Sequence, residues 1–328
     1  MSSPLVSVVL PTYNREDYLP HAIESVVGQT YDLWELIIWD DGSQDGTRDV
    51  VNSYDDHRIS YHSADNRGQS YALNQALRLA KGKYVAFLDD DDRWYPEKLS
   101  LQVTIMERHW EVDLLFSDFW NVNLSTGEKG MNSEQHSAVF EELELKEISS
   151  GVCLVSSGIP EQLLASNFVL PSSTITRRAV CQMVGDFNVQ LRNAMDLEYW
   201  WRAALAGAQF AYVDEVLLDR IKPPDSLSSN SVVTQANHIK ALDSCFEEAV
   251  AQGRDDLIPY LQRAYLVTWH RTIRLHAFLG ERRRALLAFK QSLQYGITWR
   301  AVYLLVGAML GPGLATRISR DRQTDYNR

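Results

Sequence analysis

Tyr84-Val85-Ala86-Phe87-Leu88-Asp89-Asp90-Asp91-Asp92 is the stretch that decides how this chain folds. Five largely apolar residues run without a break into four carboxylates. An uninterrupted apolar run of this length marks a strand buried on both faces of a parallel sheet. The acidic block then falls at the carboxyl end of that strand. Four adjacent carboxylates repel one another unless a cation sits among them, and hard oxygen donors select Mg2+ or Mn2+ over softer metals. An acidic turn that caps the next helix is the other reading of the same residues.

The pattern repeats towards the N-terminus. Val6-Ser7-Val8-Val9-Leu10 stops at Pro11, Glu35-Leu36-Ile37-Ile38-Trp39 stops at Asp40-Asp41-Gly42-Ser43, and Ile59-Ser60-Tyr61-His62 is a third short strand. Helical spacing fills the gaps. Residues 18–27 carry Leu19, Ile23, Val26 and Val27 on one side, residues 45–53 follow a cap at Ser43 or Asp45, and residues 69–80 close at Gly82. This alternation predicts an α/β fold, a Rossmann-like and mostly parallel sheet with helices on both faces. Ligands in such sheets bind beyond the carboxyl ends of the strands. Three strand ends therefore bring Pro11-Thr12-Tyr13-Asn14, Asp40-Asp41-Gly42-Ser43 and residues 89–92 to one rim.

Beyond Arg93 the regularity weakens. The spacing predicts a helix over 97–110, a strand over 113–119, a polar loop over 125–139 and a strand over 168–176. A short helix follows Arg177-Arg178, then a helix over 196–206 stopped by Gly207 and a strand or hairpin over 208–218. Residues 223–230, rich in Pro and Ser, form a candidate boundary. From Val233 the pattern is helical. Residues 260–278 and 282–293 read as an antiparallel pair joined at Gly280, similar to one tetratricopeptide hairpin. Residues 301–310 are strongly apolar but shorter than the roughly 20 needed to span a bilayer, so they predict a packed helix or an in-plane anchor. The expected division is a domain over 1–230, with halves 1–118 and 119–230, and a helical extension over 231–328.

Charge is unevenly spread. The 328 residues carry a net −11, yet from Arg254 onward 13 Lys/Arg face 5 Asp/Glu. An acidic body disfavours nucleic acid. The basic, partly apolar tail suits a membrane surface, a second subunit in a homodimer, or a solvated helix face. Three scattered cysteines, Cys153, Cys181 and Cys245, suit a reducing compartment, and Met1-Ser2-Ser3-Pro4 does not open a signal peptide. The expectation is a cytoplasmic protein with peripheral contact at the inner face of the membrane.

The blocks Val8-Val9-Leu10-Pro11-Thr12-Tyr13-Asn14-Arg15 and Ile37-Ile38-Trp39-Asp40-Asp41-Gly42-Ser43-Gln44-Asp45-Gly46-Thr47, then Asn66-Arg67-Gly68, Asn74 and residues 80–92, resemble in order and spacing the opening of the family-2 glycosyltransferases. The likeness is specific over residues 5–100, looser to about residue 230, and does not reach the C-terminal helices.

The resemblance implies a GT-A fold and inverting, metal-assisted transfer from a UDP- or dTDP-sugar to a hydroxyl of a glycan or lipid-linked acceptor, as in polysaccharide and cell-envelope biosynthesis. The family's Asp-x-Asp element falls on Asp89 and Asp91. It implies a nucleotide-sugar contact for Asp89 and its neighbour Asp90, and Mn2+ or Mg2+ on Asp91. Thr12 and Tyr13 match base-contacting positions, with Pro11 starting that nucleotide-sugar-binding loop, and Asp41 matches the carboxylate that reads the base edge. Met195-Asp196-Leu197-Glu198-Tyr199-Trp200-Trp201 resembles the block that carries the general base. Asp196 takes the base position, Met195 replaces the usual acidic neighbour, and Trp200 is a candidate for the acceptor pocket. Where the family commonly has a histidine, Asp219-Arg220-Ile221-Lys222 places Lys222, which leaves Arg220 and Lys222 as phosphate contacts. Met195 and Lys222 keep a catalytically inactive nucleotide-sugar-binding scaffold as the alternative. A sugar nucleotidyltransferase fits less well, because residues 11–15 lack a glycine-rich phosphate loop.

Overall fold

The computed structural model describes residues 3–223, 231–296 and 298–310. It divides into two compact units, Met1–Ser226 and Leu227–Arg328.

The first unit is built on one mixed sheet. Its first strands are β1 (Val6–Thr12), β2 (Trp34–Asp40), β3 (Ile59–Ser63) and β4 (Tyr84–Phe87). They alternate with α1 (Leu19–Val27), α2 (Thr47–Asn52) and α3 (Gln69–Leu79). β1 pairs in parallel with both β2 and β4, and β2 pairs in parallel with β3. β1 and β4 are buried along their whole length, which is why both read as unbroken apolar runs. Pro11 stands beyond the last β4 pair, Val9 with Phe87, so its missing N–H removes no ladder bond on that side.

Gly82 does not close α3, which ends at Ala80. A Cβ on Gly82 would lie 2.6 Å from the Ser7 nitrogen and 2.7 Å from the Leu5 carbonyl oxygen. The glycine is there for close approach to β1. Ser43 does not cap α2 either: its Oγ accepts the Asn14 N–H, while Asp45 Oδ1 accepts the N–H of Thr47.

The remaining strands of this unit are β5 (Arg93–Trp94), β6 (Leu114–Asn123), β7 (Lys129–Met131), β8 (Glu144–Ser149), β9 (Val152–Ser157), β10 (Thr174–Arg177) and β11 (Phe210–Lys222). The main order is β3-β2-β1-β4-β10-β6-β11-β9-β8. β10 enters antiparallel to both β4 and β6, and β11 runs parallel to β6. The helices here are α4 (Lys98–Arg108), α5 (Asn132–Gln135), α6 (Ser137–Glu142), α7 (Ile159–Ala165), α8 (Arg178–Val184) and α9 (Met195–Leu205).

Two expectations fail in this half, and one hairpin has no counterpart in the sequence pattern. Residues 125–139 are not a loop; they contain β7 and α5 and begin α6. Of the expected 168–176 strand only residues 174–176 belong to a strand, β10, because Pro171–Ser173 forms a 3-10 turn. The β8–β9 hairpin was not foreseen, since β8 is a charged, largely exposed edge strand without apolar alternation.

One feature of the core has no apolar signature. Lys98 is fully buried, its Nζ donates to Gln102 Oε1 at 2.6 Å, and it stands 4.2 Å from the Trp94 ring centre. Burial pushes its amine well below the usual range.

The second unit contains α10 (Ser231–Ala251), α11 (Ile258–Phe278), α12 (Arg282–Ser292) and α13 (Trp299–Leu310). The expected pair joined at Gly280, which has φ +73°, corresponds to α11 and α12. Its small core joins Ile273, Ala288 and Ala301, with Trp269, Phe289 and Leu304 packed against them. No described helix is long and apolar enough to cross a membrane. The candidate boundary at 223–230 lies outside the described residues, apart from Pro223.

Candidate active site

The carboxyl ends of β1 and β2 are laced together by short polar side chains. Asn14, with φ 52°, accepts at Oδ1 from Gln44 N, while its own N–H goes to Ser43 Oγ. The Arg15 N–H goes to Thr47 Oγ1, and the Glu16 N–H to Asp45 Oδ2. Such bonds fix two loops that secondary structure alone would leave free. Pro11 and Thr12 are buried beneath this lacing, and Tyr13 is 44% exposed above it.

Asp41 works as a bracket. Its N–H donates to the Thr12 carbonyl, its Oδ1 accepts from Arg67 N at 2.8 Å, and its Oδ2 accepts from Gly68 N at 2.7 Å. It thereby ties the β1 and β2 ends to the start of α3. Burial raises its pKa; the two N–H bonds and the charge of Arg192 oppose the rise. Gly42 follows with φ +85°, and a Cβ there would meet Asn66 N at 2.9 Å.

The four carboxylates after β4 do not share one role. Asp92 is buried, and its Oδ1 accepts from Ile221 N at 3.0 Å, stitching the run to the end of β11. Asp90 lies 3.7 Å from Arg15. Asp89 Oδ1 accepts from Gln69 Nε2, while its N–H donates to Ser172 Oγ. Burial first, and then the charge of Asp91, push Asp89 up to about 7 and Asp90 up to about 8; the same causes push Asp92 well above the usual carboxylate range.

No three His, Cys, Asp or Glu side chains gather into a metal cage among the described residues. A hard cation that takes one or two carboxylates and completes its shell with phosphate oxygens needs no such cage. The carboxylates of Asp89, Asp90 and Asp92, whose pKa values burial and then the charge of Asp91 raise, fit that kind of ion.

Two cations stand on the same rim. Arg220 and Lys222 pair with Asn121 and Asn123 in the β11–β6 register. The charge of Arg220 acts on both Asp89 and Asp92. Burial, and then Arg220, lower the pKa of Lys222, with Asp92 opposing. His136 belongs to this group too: burial, Arg220 and Lys222 all lower its pKa.

Asp196 reaches the rim from the far side of the fold. It sits in the first turn of α9, behind Ala194, which holds φ 59° in the left-handed region where an alanine is strained. The loop before α9 is clamped to α3. Asn74 exchanges two hydrogen bonds with the backbone of Phe187, and Ser70 Oγ donates to the Leu191 carbonyl. The result is that the charge of Asp196 acts on Asp89. Asn167 Nδ2 donates to Asp196 Oδ2 at 2.7 Å. Sequence reasoning missed Asn167, Gln69, Ser172 and His136. Asn167, Ser172 and His136 sit in segments whose placement depends on long-range packing, whereas Gln69 opens a helix that the spacing does predict but carries no residue-type signal of its own.

Trp200 is corrected. It is 0% exposed, its Nε1 donates to the Val169 carbonyl, and its ring packs edge-on against Phe87 and Tyr199. Trp201 is equally buried. The face of α9 that carries Trp200 turns into the core, because it backs the apolar end of β4, so Trp200 does not line an acceptor pocket.

Residues 7–156 match the model of glycosyl transferase family 2. Escherichia coli WfgD, a UDP-Glc:alpha-D-GlcNAc-diphosphoundecaprenol beta-1,3-glucosyltransferase, is 37% identical over 38% of this chain, and the chain spans about half of that relative's length, 49%. An uncharacterized glycosyltransferase of Rickettsia typhi is 27% identical over 74% of this chain and 72% of its own.

Among solved structures, S. aureus TarS 1-349 in complex with UDP-GlcNAc is similar at TM-score 0.58 and 17% identity, covering 93% of this chain and 92% of that one. The mannosyltransferase PcManGT of Pyrobaculum calidifontis, in complex with GDP-Man and Mn2+, is similar at TM-score 0.59 and 18% identity, covering 99% and 85%. At these identities the structural likeness speaks for the fold. Motif order, sheet topology and the family match agree: residues 7–156 are similar to glycosyl transferase family 2, and the chain carries a GT-A-like fold.

Proposed function

We propose that the chain is an inverting glycosyltransferase that moves a sugar from a UDP- or dTDP-sugar to a hydroxyl of a glycan or lipid-linked acceptor. The observation that supports this most is that the loop before α9, whose first turn carries Asp196, is clamped to α3 through Asn74 and Ser70, so that the charge of Asp196 acts on Asp89 just beyond β4. One rim then offers an acidic group to the acceptor and a charged cradle to the donor.

In this reading Tyr13 covers the base, with Pro11 and Thr12 shaping the floor beneath it. Asp41 reads the base edge with the acceptor capacity that its two backbone bonds leave. Asp89 and Asp90 face the ribose and sugar. Arg220 and Lys222 take charge from the diphosphate. Asp91 would hold Mn2+ or Mg2+, which when bound supplies further neutralisation of the leaving diphosphate. Asp196 accepts the acceptor's hydroxyl proton as that oxygen forms a bond to the anomeric carbon. The bond from that carbon to the diphosphate oxygen breaks on the opposite face, its electron pair leaves with the nucleoside diphosphate, and the configuration inverts. Asn167 holds Asp196 by its amide and orients the carboxylate.

The test is turnover. The full chain is incubated with UDP- and dTDP-sugars, UDP-glucose first given the donor named for WfgD, Mn2+, and a polyprenyl-diphosphate-linked acetylhexosamine. Acceptor-dependent release of nucleoside diphosphate, absent in Asp196→Asn, supports the reading. Donor binding without release on any acceptor, water included, would replace it with an inactive binder.

A further inference from the structure

The outermost helix of the second unit is amphipathic in the wrong sense for a packed helix. On α13 the small residues Ala301 and Ala308 face inward and are buried. Three large ones face out: Trp299 is 89% exposed, Tyr303 57% and Val306 48%. Their spacing of four and then three residues puts all three on one stripe. Phe278 and Leu279, where α11 ends, and Leu287 on α12 are exposed as well. Water is a poor environment for this much aromatic and aliphatic surface.

The charge around it is equally one-sided. Across residues 258–310 eight Lys/Arg face a single acid, Glu281. Arg282 and Arg283 are exposed at the start of α12, as is Lys290 further along it. Helices that carry Trp and Tyr on an apolar stripe beside arginines partition into the headgroup region of anionic bilayers. At 12 residues α13 is too short to cross one.

We propose that the stripe Trp299, Tyr303 and Val306 on α13 lies in the interface of an anionic phospholipid bilayer, with the arginines that open α12 drawn to its headgroups. The attachment is independent of the reaction proposed above and is measured without it.

The full chain is sedimented with vesicles of phosphatidylcholine alone and of phosphatidylcholine containing phosphatidylglycerol. Wild type pellets with the anionic vesicles and remains in the supernatant with the neutral ones. Trp299→Ser/Tyr303→Ser lowers the partition coefficient by at least about tenfold. Arg282→Gln/Arg283→Gln lowers it several-fold and flattens its salt dependence. All four side chains are exposed, so helix content by circular dichroism stays unchanged. The proposal is overturned if wild type ignores anionic vesicles, or if the Trp299/Tyr303 variant pellets as wild type does. It is also overturned if the chain is a dimer in vesicle-free buffer that this variant converts to monomer, since a second copy would then cover the stripe. Nucleotide binding, measured in parallel, is unaltered in either variant, which separates this failure from failure of the transferase reading.

Discussion

Asn167 donates its Nδ2 hydrogen to Asp196 Oδ2 at 2.7 Å, joining the loop after α7 to the first turn of α9. The bond leaves one Asp196 oxygen for other partners and fixes the plane of the carboxylate. If Asp196 is the base, removing it and removing its holder have different signatures. Asp196→Asn lowers kcat by about 10²–10⁴-fold. Asn167→Leu lowers kcat by about tenfold, with the donor KM unchanged. Steady-state kinetics with both substrates varied separates the two.

Asp41 accepts two backbone N–H bonds, so its removal is felt even without ligand. Asp41→Ala leaves the N–H groups of Arg67 and Gly68 without their acceptor and costs about 2 kcal/mol, measured by urea unfolding of the ligand-free chain. Asp41→Asn keeps one acceptor oxygen and recovers part of that loss, while donor affinity falls in both.

Asp91 is placed where stability and binding pull in opposite directions. Its charge bears on Asp89, Asp90 and Asp92. Asp91→Asn relieves that repulsion, so the ligand-free chain melts at a higher temperature than wild type. The same substitution abolishes the Mn2+-dependent part of nucleotide binding. A variant that melts lower in the absence of ligand would show that Asp91 is held by structure.

Trp200 is a core residue, and its substitutions report on packing. Trp200→Ala costs about 3–5 kcal/mol. Trp200→Phe costs less and leaves the acceptor KM unchanged. A selective rise in acceptor KM for Trp200→Phe at unaltered stability would return the residue to the acceptor site.

The first half of the fold is legible in the sequence because its strands are buried on both faces and its loops are built from local turn chemistry. Residues 6–10, 35–39 and 84–88 read as buried strands, and Thr12, Asp41 and Asp89 fall at or just beyond their carboxyl ends. The second half is not legible in the same way. β10 is four residues long and depends on pairing with β4 and β6, which are distant in sequence. β8 is an edge strand without alternation. Lys98 reads as a surface residue and is buried, because Gln102 and the Trp94 ring receive it. The aromatic trio at 199–201 shows why residue type alone misleads: adjacency on a helix says nothing of which face meets the core, and here the whole trio is buried. Asp196 is found from its block, whereas its partner Asn167 becomes visible only in three dimensions.

The central claim is that the rim formed by Asp41, Asp89 and Asp91 binds a nucleoside diphosphate together with a divalent ion. The most direct test is a calorimetric titration of the full chain with UDP, dTDP, GDP and CDP, each with and without Mn2+, repeated on Asp91→Asn. UDP or dTDP is expected to bind tightly, to bind far more weakly when Mn2+ is removed, and to lose its Mn2+ dependence in the variant. Folded wild-type protein that binds none of the four nucleotides, in either condition, would contradict it.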